Sequence, residues 1–157
     1  MLEYQPLSSE NHEIRLLTLT GGERSAFVTC ELKHYSLIDH PPYTSLSYCW
    51  GNPDITKTII VNGVKFQATV NLESALRQLQ ADGFTNMWVD AICINQNDRE
   101  ERSRQVLRMK RIYTEASDVV VWLGLETESS KATMSYIELL TQGKMFKIWE
   151  ERNTMTE

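Results

Sequence analysis

The chain has 157 residues, with 16 basic against 21 acidic side chains, a formal charge of −5 and 41% hydrophobic content. That length and balance describe one globular domain with a core large enough to need no disulfide or metal staple, and they exclude collagenous and disordered classes. No apolar run approaches the ~18 residues of a membrane-spanning helix, and a net acidic chain without a basic block does not suit the phosphate backbone of nucleic acid.

The start, Met1-Leu2-Glu3-Tyr4-Gln5, has neither the basic residues nor the apolar stretch of a signal peptide. Cys30, Cys49 and Cys93 stand in no zinc-like spacing and suit reduced thiols, so the expected location is the cytoplasm. Glu13 to Thr20 carries partly alternating apolar residues and stops at Gly21-Gly22; Ser25 to Leu32 alternates again, which predicts a hairpin. After Pro41-Pro42, Tyr43 to Cys49 reads as a strand that delivers its end into Trp50-Gly51-Asn52-Pro53. Thr58 to Val61 and Val64 to Phe66 flank Asn62-Gly63, a strong hairpin signal because both turn positions accept positive φ.

From residue 71 the period changes from two to about 3.6. Asn71 is the expected cap of a helix with Leu72, Ala75, Leu76 and Leu79 on one face, Glu73 in its first turn and Gly83 beyond its end. Met87 to Ile92 reads as a short strand with one internal carboxylate, Asp90. Asp98 with Glu101 resembles a capping box opening a long helix whose inner face is Val106, Met109 and Tyr113, with Leu107 and Ile112 beside them. Asp118 to Leu123, apolar without alternation, predicts a strand buried on both sides of a parallel sheet and ended by Gly124. Ser129 or Ser130 is the expected cap of a last helix through Leu140. This alternation implies an α/β fold, a parallel sheet flanked by helices with additional N-terminal β-hairpins. The expected layout is a single domain over residues 1–143 and a polar C-terminal tail over 144–157.

Several segments, in order, then become recognisable. Tyr43-Thr44-Ser45-Leu46-Ser47-Tyr48-Cys49-Trp50-Gly51, Asn71-Leu72 with Ala75-Leu76, Trp88-Val89-Asp90-Ala91-Ile92-Cys93-Ile94-Asn95-Gln96, Asp98 with Glu101-Arg102 and Gln105-Val106, Met109 with Ile112-Tyr113 and Ala116, and Trp122-Leu123-Gly124 together resemble the fungal heterokaryon incompatibility (HET) domain. The best-matching part is residues 14–125. The resemblance implies a cell-death effector of non-self recognition, normally part of a longer chain. It also implies a distant likeness to the TIR domain, a flavodoxin-like parallel sheet some of whose members hydrolyse NAD. That activity comes only by analogy.

In a parallel α/β sheet ligands bind beyond the carboxyl ends of the strands, where Tyr48 to Gly51, Asp90 to Gln96 and Gly124 to Glu128 fall. The candidate ligand-binding residues are therefore Ser47, Tyr48, Trp50, Gly51, Asp90, Asn95 and Gln96. Trp50 offers an aromatic face to a base, with Gly51 permitting close backbone approach; alternatively Trp50 packs over the sheet edge. Asp90, in an apolar segment, needs partners. It either holds ribose hydroxyls or is satisfied by backbone N–H groups of the Cys93–Gln96 loop or by Arg102. Asn95 and Gln96 are ligand contacts or plain loop and cap residues.

A TIR-type NAD hydrolase needs an anion beside the ribose that bears nicotinamide, because cleavage builds positive charge on the sugar. Glu126 and Glu138 are the candidate catalytic carboxylates, Glu126 closest to the strand end and Glu138 best placed on the following helix, with Glu128 between them. Cys93, between strand and helix, is a buried inert thiol or an activated nucleophile. No metal-ligand motif or Gly-rich phosphate loop is present, so no cofactor is implied, and NAD enters only as the substrate that the TIR likeness implies. The rival reading is a non-enzymatic module that signals by self-association or through fused and partner signalling domains.

Overall fold

The computed structural model describes residues 2–8, 12–22 and 25–125. Seven strands form one sheet: β1 (Glu13–Leu19), β2 (Thr29–Ser36), β3 (Thr44–Tyr48), β4 (Thr56–Val61), β5 (Val64–Thr69), β6 (Asn86–Trp88) and β7 (Asp118–Trp122). Three helical segments, α1 (Val70–Ala81), α2 (Asp90–Cys93) and α3 (Arg99–Glu115), connect them. The spatial order is β5-β4-β2-β1-β6-β3-β7. The class is the α/β one expected, and β6, β3 and β7 form its parallel arm. The other half is mixed, because β1 pairs antiparallel with both β2 and β6, and β4 antiparallel with β5, whereas β2 and β4 pair in parallel. The N-terminal hairpin strands are thus continuous with the sheet, with β1 lying between β2 and β6.

Local chemistry explains most boundaries. Asn62 and Gly63, at φ 51° and 75°, make the tight β4–β5 turn, and a turn with positive φ at both positions matches the twist of the two strands. β2 lies later than the predicted 25–32. Its seven-residue register against β1 runs from Glu13 opposite Ser36 to Leu19 opposite Cys30, leaving a longer connection in place of a tight turn at Gly21-Gly22. Arg77 on α1 anchors that connection by donating to the carbonyls of Ser25 and Ala26.

The cap of α1 is Thr69, not Asn71: the Thr69 hydroxyl accepts from the Leu72 N–H at 3.3 Å. Glu73 is buried in the first turn between Lys57 at 2.9 Å and Arg77 at 2.6 Å. Burial alone would raise its pKa, but the hydrogen bonds from Lys57 and Arg77 outweigh that and hold the carboxyl below its ordinary value.

The segment Met87 to Ile92 is not one strand. β6 stops at Trp88, and residues 90–93 coil into the helical turn α2, with the Cys93 N–H on the Val89 carbonyl at 2.7 Å. A short apolar run carries no period that separates a strand from a buried helical turn. α3 begins where expected, Asp98 accepting from the Glu100 and Glu101 N–H groups. Its buried face, however, runs through Glu101, Gln105 and Ile112, while Val106 and Leu107 are exposed. Polar residues line it because the sheet offers them partners: Gln105 donates to the Glu13 carbonyl, and Glu101 meets the buried Arg15. β7 is not buried on both sides as expected: it is one of the two edge strands among the described residues, and only Val120 and Trp122 of it are buried, while Val119 and Val121 are about half exposed, at 48% and 51%.

The core gathers Ile14, Leu16 and Leu17 of β1, Leu46 of β3, Leu72, Leu76 and Leu79 of α1, and Trp88 of β6. The Trp88 indole meets Tyr113 of α3 edge-on, with centroids 5.6 Å apart. Tyr43 and Tyr113 tie α3 to β3, their hydroxyls donating to the carbonyls of Ile112 and Leu46 at 2.6 and 3.0 Å. No helix among the described residues is long and apolar enough to cross a membrane.

Candidate functional site

β3 and β7 end level with each other, Tyr48 opposite Trp122, and β6 runs parallel beside β3 with Trp88 opposite Ser45. Asp90, two residues beyond the end of β6, becomes the centre of a polar group at this edge. One carboxylate oxygen, Oδ1, accepts the Ala91 N–H at 2.7 Å; the other, Oδ2, accepts the Trp50 indole N–H at 3.2 Å. The Tyr48 hydroxyl also donates to this carboxylate. Gln96 closes the group from the loop beyond, its amide donating to the Asp90 main-chain carbonyl at 2.9 Å.

Burial raises the Asp90 pKa, and the hydrogen bonds from Trp50, Ala91 and Tyr48 offset this only in part. Tyr48 is likewise pushed up, first by burial and then by the Asp90 charge, so its hydroxyl keeps its proton and serves as donor. Tyr113, facing the same carboxylate, is pushed up to about 12, by burial first. A carboxylate with a raised folded-state pKa contributes its full stability below the unfolded value of 3.8 and loses it as pH rises through the folded value. The stability of Asp90→Asn relative to the natural chain should therefore rise with pH across that window. Urea unfolding of both proteins at pH 4 and pH 7 checks this, and a difference independent of pH would refute the raised value.

Of the residues anticipated from sequence, the structure brings together Tyr48, Trp50, Asp90 and Gln96. Gly51 adjoins them at φ +75°, a conformation that other residues resist. Ser47 lies one residue earlier on β3, half-buried, opposite Val121. Asn95 turns back on its own loop, its side chain accepting the Asn97 N–H at 3.2 Å. Arg102 does not pair with Asp90; it reaches the Gln96 carbonyl at 3.5 Å. Glu126, Glu128 and Glu138, and the last helix with its serine cap, lie outside the described residues.

Two supports escape sequence reading. Asn71, relieved of capping, bridges two elements: its amide donates to the Cys49 carbonyl, at 2.5 Å, and its oxygen accepts the Trp122 indole N–H, at 2.9 Å. This fixes the chain just before Trp50 to the end of β7. The second is Arg15, buried in β1, which forks onto both oxygens of Glu101 at 2.6 and 2.9 Å and donates to the Cys93 carbonyl. Glu101 also accepts the Asn95 N–H at 2.7 Å, so the ion pair locks the Asn95–Gln96 loop to the sheet. The Asp98 carboxylate already caps α3, with Glu100 and Glu101 in the first turn. That end has no free appetite for an anion. Cys93 is buried and pushed up to about 12 by that burial, the state of an inert thiol.

A mixed α/β sheet with an aromatic and carboxylate group at the ends of its parallel strands is the class of protein these observations define. The family profile described as heterokaryon incompatibility protein (HET) matches residues 43–156. The chain belongs to the HET family. It is 35% identical to heterokaryon incompatibility protein 6, OR allele, of Neurospora crassa, over 90% of this chain and 23% of that protein. The chain thus spans about a quarter of that relative's length. No solved structure matches it.

Proposed function

We propose that this HET domain is a cell-death effector of heterokaryon incompatibility, acting in the cytoplasm on a NAD-like dinucleotide held at the strand-end group. The observation that carries this reading is the convergence of Tyr48, Trp50, Asp90 and Gln96 beside Gly51, which places an exposed aromatic face against a half-buried carboxylate. Ligand sites in α/β sheets combine these features at this edge. Asp90 then orients the nucleotide. A second carboxylate, Glu126 or Glu138 in the chain beyond β7, stabilises the cationic sugar as nicotinamide leaves.

The test is incubation of the concentrated chain with NAD, with and without enforced dimerisation, following nicotinamide release by chromatography. Glu126→Gln or Glu138→Gln should cut release by about 100-fold or more, as loss of one electrostatic stabiliser does, with the melting temperature unchanged. Release that survives both changes removes both assignments. No release from folded protein favours the second reading, a module that self-associates or recruits partner domains. The feature behind that alternative is the edge position of β7 among the described residues, with Val119 and Val121 exposed on it and Leu123 exposed just beyond its end.

A further inference from the structure

We propose that the hydrogen bond between Trp50 and Asp90 is a latch that the cis-diol of a ribose displaces, making the site selective for ribonucleotides. This names the substrate class of the same site and rests on the nucleotide reading above. An ionised carboxylate offers about four acceptor positions, and three donors address Asp90: the Ala91 N–H, the Tyr48 hydroxyl and the Trp50 indole. The first two are fixed by the fold, one being the adjacent backbone and the other a half-buried side chain at the end of β3.

Trp50 differs on every count. It lies on the loop after β3, the residue is 46% exposed, and its bond, at 3.2 Å, is longer than that from Ala91 at 2.7 Å. A ribose diol brings two O–H donors to one carboxylate, and hydrogen bonds from hydroxyl to carboxylate are shorter and stronger than this one. The indole is therefore the donor that gives way. Asn71 pins the Cys49 carbonyl immediately before Trp50, so the released ring pivots about a fixed point and stays beside the site, where its face meets the base.

The test uses the 157-residue chain with isotope-labelled indoles, the Trp50 N–H resonance being identified by its loss in Trp50→Phe. The probes are NAD and two NAD analogues, each lacking both hydroxyls on one of the two riboses. NAD should shift the Trp50 resonance, and one analogue should bind about tenfold or more weakly and leave it in place, as expected for losing hydrogen bonds to a charged group. Trp50→Phe removes the competing N–H but keeps an aromatic face, so it should bind NAD as tightly as the natural chain or more tightly. Asp90→Asn should weaken binding about tenfold or more.

The latch is overturned if both analogues bind like NAD, if Trp50→Phe weakens binding as much as Asp90→Asn, or if no nucleotide moves the Trp50 resonance. Nicotinamide release in the same samples separates the two ideas. Diol-dependent displacement without release keeps the latch and removes hydrolysis, whereas release with diol-independent binding does the reverse.

Discussion

Replacing Glu101 with Ala is expected to destabilise the fold by about 3–5 kcal/mol, because it strands a buried charge. Arg15 is 1% exposed and Glu101 3%, and the guanidinium is shaped around its partners: both Glu101 oxygens, the carbonyls of Cys93 and Gln5, and the Tyr4 ring 4.9 Å from its centre. With Glu101 gone, the guanidinium keeps only the carbonyls of Cys93 and Gln5 and the His34 ring nitrogen as acceptors, with no carboxylate among them, and the Asn95 N–H loses its acceptor as well. The double change Arg15→Met with Glu101→Leu should recover most of the loss, since apolar side chains of similar size need no partner. Urea unfolding followed by circular dichroism measures both. A single-variant loss below about 1 kcal/mol would mark the pair as solvated, like a surface salt bridge.

Trp122→Ala should cost about 3–5 kcal/mol, the usual range for truncating a large buried aromatic. The size of the effect is notable for an outermost strand: Val119 and Val121 are half exposed, yet Trp122 is 6% exposed and bonded to Asn71. Trp122→Phe separates the two contributions. It keeps most of the buried ring but leaves the Asn71 oxygen without its donor, and should cost about 1–3 kcal/mol. Thermal melts of the three proteins decide the order, and a negligible change for Trp122→Ala would mean that β7 is not anchored by this ring.

Local signals carried most of the fold. The Asn62-Gly63 turn, the 3.6-residue period of α1, the Asp98 cap of α3 and the start of β7 at Asp118 depend on nearby residues, so they were legible. The α1 cap was misplaced by two residues within its own turn, and the larger misreadings come from long-range pairing. β2 slid toward the C-terminus because its register is set by β1, and the Met87–Ile92 run broke because Asp90 coils into α2 beyond the last pairing of β6 with β1 and β3.

The same holds for the site. Its members were predictable from their position at strand ends, Tyr48 and Trp50 at the end of the Tyr43–Cys49 segment and Asp90 and Gln96 in the segment that follows Met87-Trp88-Val89. Their supports were not, because Arg15 meets Glu101 across 86 positions and Asn71 meets Trp122 across 51. An arginine inside an apolar strand was the one available hint, as such a charge must find a partner.

The place of β1 in the sheet also separates the folding unit from the family boundary. The family match starts at Tyr43, but β1 and β2, which precede it, join β4 and β5 on one side to β6, β3 and β7 on the other. A protein trimmed to the matched residues would keep a hairpin and a three-stranded parallel ribbon with no ladder between them, and would lose Arg15 while keeping Glu101. Such a fragment would expose two fresh sheet edges, each a template for pairing with another chain. Any excised version meant to stay monomeric must therefore begin upstream of Glu13.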